Sequence, residues 1–109
     1  MPYVVTTSKF PPDQATETAK IYIKTAKDFR LKHRELAKEI VPNAVKATDD
    51  GIESFSVYDI KEGKLEEFLF LEQKNLVNYH NIPGYKYHIE VRFKITEALD
   101  MVGMKAPEL

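Results

Sequence analysis

The chain has 109 residues, with 16 basic and 17 acidic side chains, which suits one domain and excludes a charge footprint for nucleic acid or an anionic membrane. Hydrophobic residues make up 43% and charged residues 30%, which is typical of a soluble, folded protein and leaves no run long enough to cross a bilayer. The absence of cysteine excludes disulfides, thiolate metal ligands and a cysteine nucleophile.

A strand and a long helix are predicted first. Residues 3 to 8 are β-branched, aromatic or small, and the double proline that follows ends the strand. Apolar residues then recur at spacings of three and four, which predicts a helix from about Asp13 to Val41. Pro42 should end that helix because it disfavours helical geometry at the residue before it. The predicted apolar stripe contains Ala15, Ala19, Tyr22, Ala26, Phe29, His33, Leu36 and Ile40.

A hairpin and a second helix come next. Two short strands, at about 44 to 48 and 52 to 60, are joined by the sequence DDG, which supplies a tight turn. The apolar run from 68 to 71 would also fit a buried strand, but the surrounding leucine, glutamate, lysine and glutamine favour a helix. We place this helix from about Lys64 to His80, with Glu72 interrupting its apolar face.

The sequence IPG then ends the second helix. In YKYHIEVRFKI, residues 85 to 95, apolar and polar residues alternate strictly, which predicts a fourth strand. Thr96 is expected to cap a short last helix, EALDMV, which Gly103 closes. Residues 1 to 104 are therefore expected to form a single domain, followed by a flexible tail over residues 105 to 109.

The order strand, helix, strand, strand, helix, strand (βαββαβ) predicts the α+β, ferredoxin-like arrangement, a four-stranded antiparallel sheet with both helices on one face. Alternation predicts which residues share a face of the sheet. One face would carry Val4, Thr6, Ser8, Ser54, Ser56, Tyr58, His88, Glu90 and Arg92. The other would carry Tyr3, Val5, Phe55, Val57, Ile89, Val91 and Phe93, and its apolar character suits contact with the helices.

Four segments and their order, FPPD, AVKATDDGIESFSVYDI, EGKLEEF and YHNIPGYKYHIEV, resemble small proteins of the dimeric α+β barrel superfamily, including stress-responsive and antibiotic-biosynthesis-monooxygenase-like members. The resemblance implies a homodimer in which two sheets pack face to face as an eight-stranded barrel. The superfamily includes cofactor-free monooxygenases, haem-degrading enzymes, lactone isomerases and members without known chemistry. The resemblance therefore leaves the function open.

Three residues on the fourth strand form the first candidate site. His88, Glu90 and Arg92 alternate along it, so their side chains share a face and span roughly 13 Å. A base, an acid and an anion-binding guanidinium on one cavity wall can bind or polarise a small acidic or carbonyl substrate. The alternative is a solvated or ion-paired edge strand, which Lys86 and Lys94 at its ends favour.

The other two histidines have different explanations. His80, at the predicted end of the second helix, suits the helix dipole and can bond the last carbonyls. The resemblance to haem-degrading enzymes implies instead a cavity-mouth base or haem ligand, although the chain has no tryptophan to accompany it. His33 is expected to be a core histidine with a hydrogen-bond partner. The three histidines lack metal-site spacing, so we expect no metal and no cofactor.

Hydroxyl groups form a second candidate site. Several of them can line a pocket for an aromatic or acyl ligand, or simply belong to the core. The residues are Tyr22, Tyr58, Tyr79, Tyr85, Tyr87, Thr6, Ser54 and Ser56. The four glycines are scattered singly, which gives neither a phosphate loop nor a serine-hydrolase elbow.

These observations lead to three hypotheses. The first is a cytoplasmic homodimer that binds a small, partly apolar molecule between its sheet and helices; residues 1 to 10 lack the pattern of a secretory signal. The second is a cofactor-independent monooxygenase or isomerase, with His88 or His80 as base and Tyr58 or Arg92 stabilising negative charge. The third is an interaction module whose barrel is filled by side chains.

Overall fold

Four strands form one antiparallel sheet in the order β2-β3-β1-β4. The computed structural model describes residues 1 to 105 and residue 107, so the predicted tail, 105 to 109, lies partly outside the described residues. The elements are β1 (Tyr3–Phe10), α1 (Ala15–Leu36), β2 (Ala37–Thr48), β3 (Gly51–Ile60), α2 (Leu65–Val77), β4 (Lys86–Arg92) and α3 (Ile95–Met101). The predicted split βαβ order is confirmed, and a single 3-10 turn, Pro12–Gln14, precedes α1.

The faces of the sheet differ from the prediction. Thr6 of β1 pairs with Ser56 of β3 and with Ile89 of β4, so these three side chains share one face. Val4, Thr6, Ser8 and Phe10 are buried on this face, which α1 and α2 cover. The prediction was wrong in assigning the helix side to the odd-numbered residues of β1 and β3. For β4 it was right, because Ile89 packs against the core on the covered face while His88, Glu90 and Arg92 lie on the other face.

The physical reason for this error is the distribution of apolar side chains. Val5 pairs with Val57, and Thr7 pairs with Phe55, on the uncovered face of the sheet. The covered face instead carries the hydroxyls of Thr6, Ser8 and Ser56. Apolar character therefore did not indicate the helix side, because the helices lie over a partly polar region.

The first helix ends five residues earlier than predicted. Ala37 is already extended, with φ -156° and ψ 159°, and it pairs with Ile60 of β3. Ala37 is 3% exposed within the core, so burial beside β3 outweighs the helical pattern that continues to Val41. Pro42 lies inside β2, where the register shifts on both sides of Val41.

Two apolar clusters make up the core. The first contains Val4, Ala37, Tyr58, Ile60 and Phe68, and the second contains Leu76, Tyr79 and Ile82. Phe68, Glu72 and Leu76 are the buried residues of α2, one turn apart. Because Phe68 belongs to one cluster and Leu76 to the other, Glu72 lies between them.

Tight turns connect α2 to β4. The helix ends at Val77, three residues before the predicted end, and the amides of Tyr79 and Ile82 then bond carbonyls three residues back. Gly84 has φ +76°, and a Cβ there would lie 2.7 Å from Cγ of Pro11. Only glycine fits this close approach without displacement.

The last helix begins at a different residue from the one predicted. Lys94 is the N-cap, and its amide donates to Glu97 Oε1 at 2.9 Å. Thr96 therefore lies inside α3, and its assignment as the cap was wrong. The left-handed Gly103, with φ +75°, follows the end of the helix as expected. Among the described residues, no helix is both long and apolar enough to cross a membrane.

Candidate functional site

A cavity of about 380 Å³ lies between the covered face of the sheet and the two long helices. Its deep part is lined by buried residues from β1, α1, β3, α2 and the turn after α2, namely Thr6, Ser8, Thr18, Ser56, Tyr58, Glu72, Leu76 and Tyr79. Its mouth is lined by more exposed residues, Ala19, Tyr22, Pro42, Asn43 and Val45. Hydroxyl groups and apolar side chains thus line one partly open space.

The irregular part of β2 shapes the mouth. Asn43 has φ +60°, a left-handed conformation that asparagine tolerates better than most residues. Its side-chain amide donates to the phenol of Tyr22 at 3.5 Å, and its side-chain oxygen accepts from Ser54 at 3.3 Å. The bulge therefore links α1 to β3 across the opening.

A buried acid and a buried histidine meet at the back of this cavity. His33 on α1 is 4% exposed and Glu72 on α2 is 2% exposed, and Nε2 of His33 lies 3.4 Å from Oε1 of Glu72. Thr6 Oγ1 donates to the other carboxylate oxygen at 2.9 Å, and Asn75 Nδ2 donates to Oε1 at 3.2 Å. The rings of Tyr58 and His33 stack, with centroids 5.3 Å apart.

These contacts set the charge of Glu72. Burial acts to raise the pKa of its carboxyl, but His33, Asn75 and Thr6 outweigh burial and hold the pKa below its ordinary value. Glu72 is therefore ionised at neutral pH. Burial, together with the negative charge of Glu72, raises the pKa of Tyr58. Burial, with smaller effects of Tyr79 and Glu72, raises the pKa of Tyr85 to about 12. Both phenols stay neutral and can donate hydrogen bonds.

A second, smaller cavity of about 170 Å³ lies between α1 and β2. It is lined by His33, whereas Glu72 lines the larger cavity. The two cavities share Tyr22, Pro42, Asn43, Tyr58 and Asn75. Arg30 also lines the smaller cavity, and Nη2 of Arg30 lies 3.6 Å from Oε1 of Glu39. The His33–Glu72 pair therefore separates two adjoining spaces, with the acid on one side and the base on the other.

The structure brings together seven of the eight hydroxyl residues predicted to line a pocket. Thr6, Ser54, Ser56 and Tyr58 all line the larger cavity. Tyr22, Tyr79 and Tyr85 join them, whereas Tyr87 does not line it. That these residues bind a ligand stays a prediction.

The three candidate site residues of β4 lie on the other face of the sheet, away from the cavity. His88 pairs with Thr7, Glu90 with Val5 and Arg92 with Tyr3, so all three occupy the uncovered face, opposite Tyr58. Arg92 Nη2 donates to Glu90 Oε2 at 3.1 Å. The expected common wall of His88, Arg92 and Tyr58 does not form within one protomer, because Tyr58 lies on the covered face and not on the uncovered one.

His80 lies in the turn after α2, and its side chain is exposed. Its Nε2 is 2.8 Å from the phenol oxygen of Tyr87, and the two rings stack with centroids 5.7 Å apart. Gln73 donates to the same phenol at 2.6 Å. His80 therefore contacts β4 through Tyr87 and does not line the cavity.

Sequence reasoning missed His33, Glu72, Asn75 and Thr18 as site residues. Glu72 and His33 were both visible as polar residues on apolar helical stripes. Their meeting was not, because it depends on how α1 and α2 pack. Among the described residues, no three histidine, aspartate or glutamate side chains group together as a metal site requires.

Comparison with known proteins identifies the fold. No protein-family model matches the chain, and no curated protein sequence matches it. A solved structure, a dimeric ferredoxin-like protein from an uncultured marine organism, matches with a TM-score of 0.60 at 16% sequence identity. The match covers 87% of this chain and 97% of the other. The fold is ferredoxin-like. At this level of identity the likeness extends to the ferredoxin-like fold alone.

Proposed function

We propose that this protein binds a small, partly apolar molecule in the larger cavity, between the sheet and the helices. The observation that carries the proposal is a partly open cavity of about 380 Å³ whose walls combine aromatic rings with buried hydroxyls. Ligand sites in proteins have this range of volume and this mixture of apolar surface with a few polar groups. In a protein interior without a ligand site, side chains would fill such a space, because protein cores are close-packed.

Thr18 gives further support. It is 8% exposed and lines the cavity, and its hydroxyl oxygen has no hydrogen-bond partner among the described residues. A buried polar atom without a partner is uncommon in folded proteins. A bound molecule in the cavity would supply the missing partner.

The test is a fragment titration followed by amide chemical shifts, with mass spectrometry of any molecule that co-purifies. Uncharged aromatic fragments should shift the amides of residues that line the cavity. Ala19→Phe, which places a ring at the mouth, should abolish these shifts. Thr16→Phe is the matched control, because Thr16 is also exposed on α1 but does not line the cavity. If no fragment of any charge shifts cavity amides, the proposal is wrong.

A second candidate function is acid–base catalysis without a cofactor. The buried His33–Glu72 pair favours it, because a carboxylate beside an imidazole, with the neutral phenol of Tyr58 at hand, can move a proton and stabilise developing negative charge. His33→Gln should then abolish turnover while ligand affinity survives. His88→Ala tests the same hypothesis for the other face, where His88, Glu90 and Arg92 stay proposed site residues.

We also propose that the chain forms a homodimer through the uncovered face of its sheet. The solved ferredoxin-like structure is described as dimeric, and Val5, Phe55 and Val57 form an apolar strip on that face here. Phe55 is 38% exposed in one protomer. Two such strips packed face to face would be buried, with His88 and Arg92 beside them.

Light scattering after size-exclusion chromatography tests the dimer. The wild-type chain should elute at twice the monomer mass, and Phe55→Asp should elute as a monomer. Ile23→Asp is the control, because Ile23 is an apolar residue on α1 that is 69% exposed. A monomeric wild-type chain would contradict the proposal. An interaction module with a filled barrel is the outcome if the dimer forms but no fragment binds. The cytoplasmic location stays a prediction.

A further inference from the structure

The one formal charge on the described residues that line the larger cavity is negative. Among the described residues that line it, Glu72 alone carries a formal charge at neutral pH. The nearby bases belong to the smaller cavity, where Arg30 is already paired with Glu39. An anionic ligand would meet a buried carboxylate with no unpaired cation in the lining, and like charges repel strongly where water is scarce.

The carboxylate of Glu72 can accept further hydrogen bonds. An ionised carboxylate has about four acceptor positions, and the side chains of Thr6 and Asn75 fill two of them. The Nε2 of His33 lies 3.4 Å from Oε1 but makes no hydrogen bond in this geometry. Acceptor capacity is thus left at the deep end of the cavity.

Aromatic rings surround the same space. Phe10, Tyr22, Tyr58, Tyr79 and Tyr85 all line it. Tyr79 and Tyr85 stack with centroids 4.9 Å apart, and Phe10 stacks on the other side of Tyr85 at 6.0 Å. The face of an aromatic ring carries negative charge density and attracts cations, and clusters of such rings recognise ammonium groups.

We propose that the ligand of this cavity is a small organic cation, an amine on an aromatic or aliphatic body. Its ammonium group contacts Glu72 among the tyrosine rings, and its body extends toward the mouth at Ala19 and Val45. The Thr18 hydroxyl supplies a further polar contact. This assignment rests on the proposed function, because it names the chemical class of the molecule that the cavity binds.

Three probes with one skeleton test the charge preference. Tyramine carries an amine, tyrosol carries an alcohol in its place, and 4-hydroxyphenylacetate carries a carboxylate. Isothermal titration of the wild-type protein should rank their affinities as amine, then alcohol, then acid, with about tenfold between the amine and the acid. Tyramine should shift the amides of cavity residues, and Ala19→Phe should abolish those shifts.

The Glu72→Gln variant tests whether the negative charge of Glu72 binds the amine. The variant should weaken tyramine binding about tenfold while tyrosol affinity changes little, because only the amine depends on the negative charge. The ranking of the three probes uses the wild-type protein. It therefore still tests the charge preference of the cavity if the Glu72→Gln variant fails to fold.

Each outcome has a definite meaning. If the acid binds as tightly as the amine, or if tyramine binds equally well to Ala19→Phe, the cation assignment is wrong. If uncharged fragments bind in the cavity and tyramine does not, the cation assignment is wrong while the proposed function stands. If nothing of any charge binds there, the proposed function itself fails, and the cation assignment fails with it.

Discussion

His33 on α1 and Glu72 on α2 lie 3.4 Å apart, Nε2 to Oε1, and both side chains are almost completely buried. The two long helices are therefore joined at this depth by a polar contact. Thr6 of the central strand β1 bonds the same carboxylate. Glu72 thus links α1, α2 and β1. Its contribution to the stability of the fold depends on all of its partners.

The first prediction concerns the loss of Glu72. Glu72→Ala should lower the free energy of unfolding by roughly 3 to 5 kcal/mol, because it removes the acceptor of Thr6 and Asn75 and leaves His33 buried without the carboxylate beside it. Urea denaturation measures this change. Glu66→Ala is the control on the same helix, because Glu66 is exposed, and it should cost about 1 kcal/mol or less. Equal losses in the two variants would contradict the prediction.

The second prediction concerns the stability of the protein at acid pH. The pKa of Glu72 is lower in the folded protein than its ordinary value of 4.5. Its stabilising contribution is therefore fully present above about pH 4.5 and is lost as pH falls through the folded pKa. The wild-type protein should lose stability in this acid range, measured by urea midpoints at a series of pH values.

Glu72→Gln isolates the effect of this one carboxyl from that of other acids, such as Glu97, whose pKa is also lowered, chiefly by the N-terminal amine. The difference in unfolding free energy between the wild type and the variant should shrink as pH falls below about 4.5. A constant difference across that range would show that Glu72 does not titrate differently in the folded state.

The sequence predicted the order of elements and the hairpin because both depend on local signals. The DDG turn joins β2 to β3 at the expected place, and the alternation in YKYHIEV corresponds to β4. Local signals failed at residues 37 to 41, where the helical pattern continues but pairing with β3 determines the structure. They failed again at Thr96, because the chain turns into α3 two residues earlier.

The candidate site was predicted only in part, and the reason is physical. Thr6, Ser56 and Tyr58 were identified because alternating residues of paired strands share a face. His33 and Glu72 belong to different helices, and nothing in either helix specifies their relative rotation. A polar residue on an apolar stripe was the available signal, and two such residues on helices that cover one sheet are candidates for a buried pair.

The third prediction concerns the junction before β4. Gly84 and Gly63 have nearly equal left-handed φ values, +76° and +73°, but only Gly84 lies against another residue, Pro11. Both alanine variants should lose about 1 kcal/mol from the backbone conformation. Gly84→Ala should lose a further 1 to 3 kcal/mol, roughly, because its Cβ would overlap the proline ring. Thermal denaturation of the two variants gives the comparison, and equal melting temperatures would show that Pro11 moves away freely.

The fourth prediction compares two threonines on α1 that are equally buried, at 8% exposed. Thr25 Oγ1 donates to the carbonyl of Ile21 at 2.9 Å, whereas Thr18 Oγ1 has no partner among the described residues. Valine has the same shape without the hydroxyl. Thr18→Val should therefore stabilise the ligand-free protein by about 1 kcal/mol, because an unpaired buried hydroxyl is removed, and Thr25→Val should not.

The same pair of variants distinguishes a packing defect from a binding group. If the Thr18 hydroxyl contacts a ligand, Thr18→Val should bind tyramine more weakly than the wild type even though its unfolding free energy in urea is higher. Thr25→Val should leave the affinity unchanged, since its hydroxyl is occupied within the helix. Unchanged affinity in Thr18→Val would mean that this hydroxyl does not contact the ligand. A loss of both stability and affinity would mean that it has a structural partner.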